Sequence, residues 1–214
     1  MSAVMPAKSP RTAPPEARRQ QLIEATITSI SKYGISGTTL ARVTQEAGLS
    51  LGIVNFHFDS KEALLRATLK HLADEHRSLW IKTSSRPDTA PADKLKAIVD
   101  AQFHPRVCNR QKLAVWFAFF GETRRRQAYR HTSEVLDMER QSVTTDLCAD
   151  IVTEGGYTDV VPEKVSQMLE GLFDGLWLNI LMYPGRFNRQ LARDHVVSYL
   201  SLCFPQHFPG NRGA

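Results

Sequence analysis

The chain has 214 residues, 42% of them hydrophobic, with a net charge of +5 and a pI near 9.2. That length allows one large domain or two small ones with a sizeable core, and the basic balance favours an anionic partner without selecting nucleic acid. The three cysteines (Cys108, Cys148, Cys203) are odd in number and far apart, no apolar run approaches the roughly 18 residues of a membrane span, and no signal sequence opens the chain, so a cytoplasmic protein with no membrane partner is expected.

Residues 1–15 carry Pro6, Pro10, Pro14 and Pro15 together with Lys8 and Arg11, the composition of a disordered arm. Residues 16–34 read as a helix with Leu22, Ile23, Thr26, Ile27 and Ile30 on its buried stripe, ended by Gly34. Arg18 and Arg19 stand in its first turn against the helix dipole, a placement that a nearby phosphate would relieve. Thr38 or Thr39 can cap a second helix, with Leu40, Val43, Thr44 and Ala47 on one face. Gly48 marks a turn, and Ser50 is placed to cap a short helix from Leu51 to about Phe56, with Ile53, Val54 and Phe56 for its buried side. Asp59 or Ser60 then caps a long helix reaching about residue 83, striped by Leu64, Leu65, Thr68, Leu69, Leu72, His76 and Leu79, with Trp80 near its end.

A helix, a three-residue turn with glycine and a second short helix make a helix-turn-helix, whose second helix enters the DNA major groove. On that arrangement Ser50, Leu51 and Asn55 face outward; Asn55 can pair with adenine and Leu51 can touch a thymine methyl. Thr39, His57 and Lys61 are suited to phosphates, which fix register without reading sequence. Gly52 either lets the backbone approach the duplex or packs helix against helix.

Residues 84–93, SSRPDTAPAD, break the helical pattern. Beyond them the chain reads as helix throughout. Leu95, Ile98, Val99 and Phe103 stripe one segment. The run from Leu113 to Phe120 is apolar on every side and is expected to be buried all round, with Arg124, Arg125 and Arg126 at its end. Residues 127–154 carry Leu136, Met138, Val143, Leu147 and Ile151. Pro162 opens a helix with Met168, Leu169, Leu172, Phe173, Leu176, Trp177, Ile180 and Leu181, and a last helix over 188–204 has Leu191, Val196, Tyr199, Leu200 and Cys203 apolar.

The fold class is therefore all-α: an N-terminal three-helix helix-turn-helix domain plus a C-terminal helical bundle, which the family resemblance described below implies is for ligand binding and dimerisation. The expected boundaries are an arm at 1–15, a DNA-binding domain at 16–60 and a ligand-binding and dimerisation domain at 61–208. The last two helices have more apolar face than one chain can cover, which implies a homodimer with a four-helix interface.

The stretch TTLARVTQEAGLSLGIVNFHFDSKEALL resembles the DNA-binding segment of the TetR family of bacterial repressors. Thr39, Ala47 and Gly48, Ser50, Gly52, Phe56 and Phe58 around His57, and Ser60 to Leu64 stand where that family's pattern places them, while Asn55 stands where the family often has tyrosine. The resemblance implies a homodimer holding two reading helices about 34–36 Å apart on an inverted repeat in double-stranded DNA. The stretches ARRQQLIEATITSI, VWFAFFGE followed by Tyr129 and Arg130, and GLFDGLWLNIL are similar to a narrower group of that family, the choline-responsive repressors of BetI type. That similarity implies a small-molecule effector, a quaternary amine.

The residues can be matched to such a ligand, because quaternary cations sit over aromatic faces. Trp116 and Phe120 lie four apart on one helix; Asp174 and Trp177 lie three apart on another, with Glu170 one turn before Asp174 and Glu122 or Tyr129 as candidates for the rim. Acids on an apolar helix are expensive to bury unless paired, and a cation would pair them. Ligand binding would then tilt the helix that begins at Lys61. The alternatives are the same architecture with a drug, lipid-like or polyamine ligand, and a helical protein-interaction module. No nucleophile elbow, glycine-rich phosphate loop or paired catalytic acids occur, and His104 with Cys108 is a metal-ligand spacing without further ligands. The protein is not expected to be an enzyme, and no cofactor or metal is expected.

Overall fold

The structure, a computed structural model, describes residues 14–122 and 127–209, apart from the side chains of residues 128, 130, 132, 133 and 136. All but the last two residues of the expected arm, the arginine run at 124–126, and the side chains of Arg130 and Leu136 lie outside the described residues. Among the described residues there are nine helices and no strand: α1 (Pro15–Gly37), α2 (Leu40–Ala47), α3 (Leu51–His57), α4 (Lys61–Ser84), α5 (Pro91–Gln102), α6 (Arg110–Glu122), α7 (Gln127–Gly155), α8 (Pro162–Met182) and α9 (Arg189–Cys203). None is long and apolar enough to cross a membrane.

α1 begins on Pro15, inside the stretch expected as arm, because proline's fixed φ and missing N–H suit the first helical position. Its predicted stripe is buried from Leu22 to Ile30. At Gly34 the backbone breaks to φ 69° and ψ 175°, a conformation that side-chain-bearing residues resist. One more turn follows, closed by the Thr38 hydroxyl donating to the Gly34 carbonyl at 2.8 Å. Thr39 caps α2, its Oγ1 accepting from the Arg42 N–H at 3.2 Å. At the other end of α2 the Leu49 N–H donates to the Thr44 carbonyl at 3.0 Å and the Gly48 N–H to that of Gln45 at 3.3 Å. This paired closure is the Schellman ending, with Gly48 in the left-handed region. Ser50 holds the N-cap position of α3 but makes no capping bond with its hydroxyl. Ser60, not Asp59, caps α4, accepting from the Ala63 N–H at 3.1 Å.

With 24 residues, α4 runs about 36 Å at 1.5 Å per residue. Its Leu64, Leu65 and Trp80 belong to one core cluster that runs from α1 to α9, and its His76 is buried. The head is not joined through α4 alone. α1 also packs along α6, where Gln111 Nε2 donates to Thr28 Oγ1 at 3.1 Å. In the second half, α8 packs on α7, α6 and α9, and α5 lies against α4, α7 and α9. Arg77 grips Glu139 with two bonds of 2.6 Å, tying α4 to α7.

The apolar run on α6 is not buried all round. Leu113, Val115, Trp116 and Phe119 are buried, whereas Phe117, Ala118 and Phe120 are half-buried: the helix packs against α1, α4, α7 and α8 and also borders a cavity. Met138 on α7 and Met168 on α8, read as apolar stripe members, are exposed. The two methionines lie on faces that no neighbouring helix of this chain covers.

Candidate functional site

α3, with 7 residues, makes about two turns and carries most of the residues expected to touch DNA. Val54 is buried and Phe58, just past the helix, is buried, while Ile53 is half-buried. These three anchor the helix to α1 and α2. Leu51 is 50% and Phe56 77% exposed, and Ser50, Gly52 and Asn55 are exposed as well. The sequence placed Phe56 on the buried side, and the structure reverses that. Two residues beyond Val54 it lies about 200° around the helix from it, so the residue that anchors α3 turns Phe56 away. Its ring makes an edge contact with His57, centroids 5.0 Å apart.

Gly52 is not a packing glycine: a Cβ there would meet only Ser50 Oγ at 3.8 Å. Of its two expected uses, close approach from outside is the one the space allows. Thr39 is exposed, its hydroxyl engaged as the α2 cap. His57 is half-buried. Lys61 donates from Nζ to the Ile35 carbonyl at 3.1 Å, so its ammonium is tethered across the end of α1. Arg42, which sequence reading passed over, stacks its guanidinium 4.5 Å from the Tyr33 ring centroid. Arg19 lies 5.3 Å over Phe58, linking the start of α1 to the C-cap of α3.

A cavity of about 680 Å3 opens between α4, α5, α6, α7 and α8, within the roughly 300–1,000 Å3 of small-molecule sites. All five residues singled out from the sequence line it: Trp116 and Phe120 from α6, and Glu170, Asp174 and Trp177 from α8. The Trp116 ring centroid is 6.2 Å from that of Trp177 and 5.9 Å from that of Phe120. Glu122 and Tyr129 are not among the lining residues. Tyr129 is buried against Phe119 at 5.2 Å and donates its hydroxyl to Glu62 at 2.8 Å, which makes it a brace between α7 and α4.

Sequence reading missed the lining from α4, α5 and α7: His76, Gln102, Asp137 and Arg140 above all. His76 had been taken only as a stripe member. A signal for the α7 pair did exist, since Asp137 and Arg140 are three apart and on one helix face.

These added residues change the electrostatics. Arg140 is buried and holds Glu170 through both Nε, at 3.1 Å, and a terminal nitrogen, and holds Asp137 at 3.0 Å. Glu170 is thus spent in an internal ion pair and is not a free acid for a cation, as the sequence alone suggested. Asp174 stands differently. It makes no ion pair among the described residues and stands exposed at the edge of the cavity; partial burial on its inner side, with Asp137 and Glu170 nearby, pushes its carboxyl up to about 6 against the opposing pull of Arg140. Burial also raises Asp137. His76, pushed down to about 3 by burial and then by Arg140, is neutral. The site therefore combines an aromatic wall with one acid that gains from a positive neighbour.

A second surface runs along α8. Met168, Gly171, Gly175, Leu178 and Met182 recur three and four apart and are all exposed. A Cβ at Gly171 or Gly175 would meet nothing within 4 Å. On α9, Leu202 is 82% exposed. Such spacing is that of a helix–helix seam, with the glycines allowing close approach.

Residues 22–68 match the family of bacterial regulatory proteins called tetR, and residues 91–205 match the C-terminal domain of BetI-type transcriptional repressors. The HTH-type transcriptional regulator BetI of Paraburkholderia phymatum is 33% identical over 200 residues, covering 92% of this chain and 98% of its own length. Among solved structures, a protein described as a transcriptional regulator from Pseudomonas aeruginosa PAO1 aligns with a TM-score of 0.79 at 24% identity, over 93% of this chain and 96% of that one. A regulator from Saccharomonospora viridis, in complex with choline, aligns at 0.76 with 16% identity over 87% and 96%. Likeness at those identities shows the fold alone.

Proposed function

This chain belongs to the TetR family of bacterial transcriptional regulators, with a second half of BetI type, and on that premise we propose that it represses transcription from an inverted-repeat operator as a cytoplasmic homodimer controlled by a small quaternary amine, choline or a close relative. Residues 16–60 are the DNA-binding head, and residues 61–208 take up the effector and form the dimer. The observation that carries the effector is Asp174, an acid without an ion-pair partner among the described residues, which lines one cavity with the rings of Trp116, Phe120 and Trp177. Each ring face is worth about 0.5–2 kcal/mol to a cation. A lipid-like acid is disfavoured by the same carboxylates. The choline bound to the Saccharomonospora viridis regulator supports the reading from a distant relative.

In the head, Asn55, Leu51 and the exposed Phe56 read base edges, Phe56 and Leu51 through thymine methyls. Ser50, Thr39, His57 and Lys61 lie against phosphates, and Gly52 lets α3 come close. The α8 seam, meeting its own copy, supplies the twofold axis that an inverted repeat requires. α6 is the direct mechanical link, since it carries Trp116 and Phe120 into the cavity and packs along α1 of the head. A ligand that draws α6 toward α8 shifts the head, and it does so only by its differential affinity for the two head spacings.

The test is the thermal stability of the full-length protein against a panel of small amines and carboxylic acids. A ligand at a hundred times its Kd adds about 2.7 kcal/mol. Choline and related quaternary amines should raise Tm, and medium-chain acids should not. No shift with any quaternary amine would overturn the effector assignment.

A further inference from the structure

A second cavity, of about 750 Å3, opens between the end of α5, the loop that leads to α6, the end of α8 and the start of α9. It shares no lining residue with the cavity of Trp116 and Asp174, and its charge has the opposite sign. Arg110, Arg189 and Arg193 line it against a single acid, Asp100. Arg193 donates to Asp100 at 2.5 Å. Arg110 and Arg189 make no ion pair among the described residues; Arg189 reaches the Cys108 carbonyl at 3.5 Å.

Donors outnumber acceptors among the side chains that remain. Asn109 and Asn188 each give their side-chain oxygen to the helix that follows, accepting from the Lys112 N–H at 3.0 Å and the Leu191 N–H at 2.9 Å. His104 Nδ1 accepts from the Arg106 N–H at 3.2 Å, which leaves Nε2 as the donor of that ring. The guanidiniums of Arg110 and Arg189 can only donate. Each of the two arginines opens its helix, α6 and α9, and neither helix has an acid in its first turn. The helix dipole disfavours a cation there and favours an anion. Beside these donors, Phe103, Ile180 and Phe187 supply an apolar wall.

We propose that this cavity is a second ligand site, for a phosphate monoester with a small apolar body, its phosphate held by Arg110 and Arg189 and its body laid against Phe103, Ile180 and Phe187. Charge selects the class. Three arginines against one acid leave two positive charges over, which a monoester carrying about −1.5 to −2 at pH 7 neutralises. Its three terminal oxygens meet the surplus of donors, and a guanidinium binds phosphate oxygens in pairs. A carboxylate brings one charge and two oxygens, and a bare phosphate leaves the apolar wall in water. The place matters as well. Gln111, next in the chain to Arg110, donates to Thr28 of α1 at 3.1 Å, and Lys112 pairs with Glu75 of α4. A ligand drawn to Arg110 therefore acts on the turn of α6 that ties it to α1 and α4.

Calorimetric titration of the full-length protein with phenyl phosphate, inorganic phosphate and benzoate, at constant ionic strength in a phosphate-free buffer, tests the assignment. Phenyl phosphate should bind about tenfold tighter than inorganic phosphate, the contribution of a partly buried ring. It should also bind about tenfold tighter than benzoate, the contribution of one charge-assisted hydrogen bond. Arg110→Gln and Arg189→Gln should each weaken phenyl phosphate about tenfold and leave Tm unchanged, because both side chains are exposed. Lys96→Gln removes the same charge from α5 outside the lining, and Phe120→Ala alters the other cavity; neither should change the affinity. Equal binding of phenyl and inorganic phosphate would remove the apolar wall from the site, and benzoate binding as tightly as phenyl phosphate would refute the phosphate class. A loss in Lys96→Gln as large as in the arginine variants would reduce the effect to net charge and end the proposal. A loss in Phe120→Ala would place the ligand in the other cavity, and absence of heat with phenyl phosphate would overturn the site outright. Choline binding, measured on the same arginine variants, should be unchanged, so this site and the amine effector stand or fall separately.

Discussion

α3 presents its proposed contact side chains outward from seven consecutive residues, whereas the cavity collects its lining from five helices between His76 and Trp177. The two regions leave opposite capacities unused. In the head, backbone and caps are satisfied at Thr39, Gly48 and Ser60, and what remains is apolar surface on Leu51 and Phe56 standing in water. In the cavity, apolar surface is buried on the tryptophans, and what remains is polar: His76 Nε2, Gln102 Nε2 and Trp116 Nε1, without a hydrogen-bond partner among the described residues, and the destabilised carboxylate of Asp174. A convex reader offers shape and edges to a duplex that brings its own charge. A concave sensor must hold unmet hydrogen bonds and charge ready for a small molecule. On the proposed function, exposed aromatic surface and buried polar deficit are two signatures of binding, one in each region.

The contrast can be broken most forcibly from the core outward. Leu22→Ala removes a fully buried side chain from the head and should cost about 2–5 kcal/mol, lowering Tm and operator binding together in a thermal melt and a gel shift. Arg140→Ala should cost about 2–3 kcal/mol, less than a wholly buried pair because Glu170 and Asp137 keep some solvent. In that variant Glu170 becomes a second free acid, and the calorimetric preference for dications over monocations should rise; an unchanged preference would mean that Glu170 does not face the ligand. Phe56→Ala should do the reverse of the core change. Operator affinity should fall by about 1–3 kcal/mol, with Tm altered by no more than about 0.5 kcal/mol equivalent; a matching loss of stability would show that Phe56 packs rather than reads.

The smallest expected effect is a pH dependence of the cation site. Asp174 sits at about 6, above the carboxyl's ordinary value, through burial and the neighbouring acids Asp137 and Glu170, with Arg140 opposing and His76 neutral. The folded protein therefore holds this proton more tightly than the unfolded chain. Its stabilising contribution is present below about pH 4 and is lost as pH rises through about 6. Cation affinity runs the other way, because the ionised form is the partner. Choline should bind about tenfold more weakly at pH 5 than at pH 7 in calorimetry, and Asp174→Asn should flatten that profile.

How much could be read beforehand differs between the two regions for the same reason. The head is local: caps, turn glycine and apolar spacing lie within a few residues of one another, so Leu40 to Lys61 could be laid out from the chain. Phe56 is the exception, and it failed because a helix of two turns gives periodicity too few positions to decide a face. The cavity residues on α6 and α8 were legible as aromatic and acid spacings. The role of Glu170 was not, because its partner Arg140 lies 30 residues away on α7.

From the chain alone came the all-helical class, the helix-turn-helix and its outward residues Leu51 and Asn55, and the two helices that bear Trp116 and Asp174. Only the tertiary fold brought His76, Gln102 and Arg140 to the same cavity, engaged Glu170 and left Asp174 without an ion pair among the described residues. Helix periodicity records which side of a helix is apolar, and it holds no information on which distant helix that side will meet.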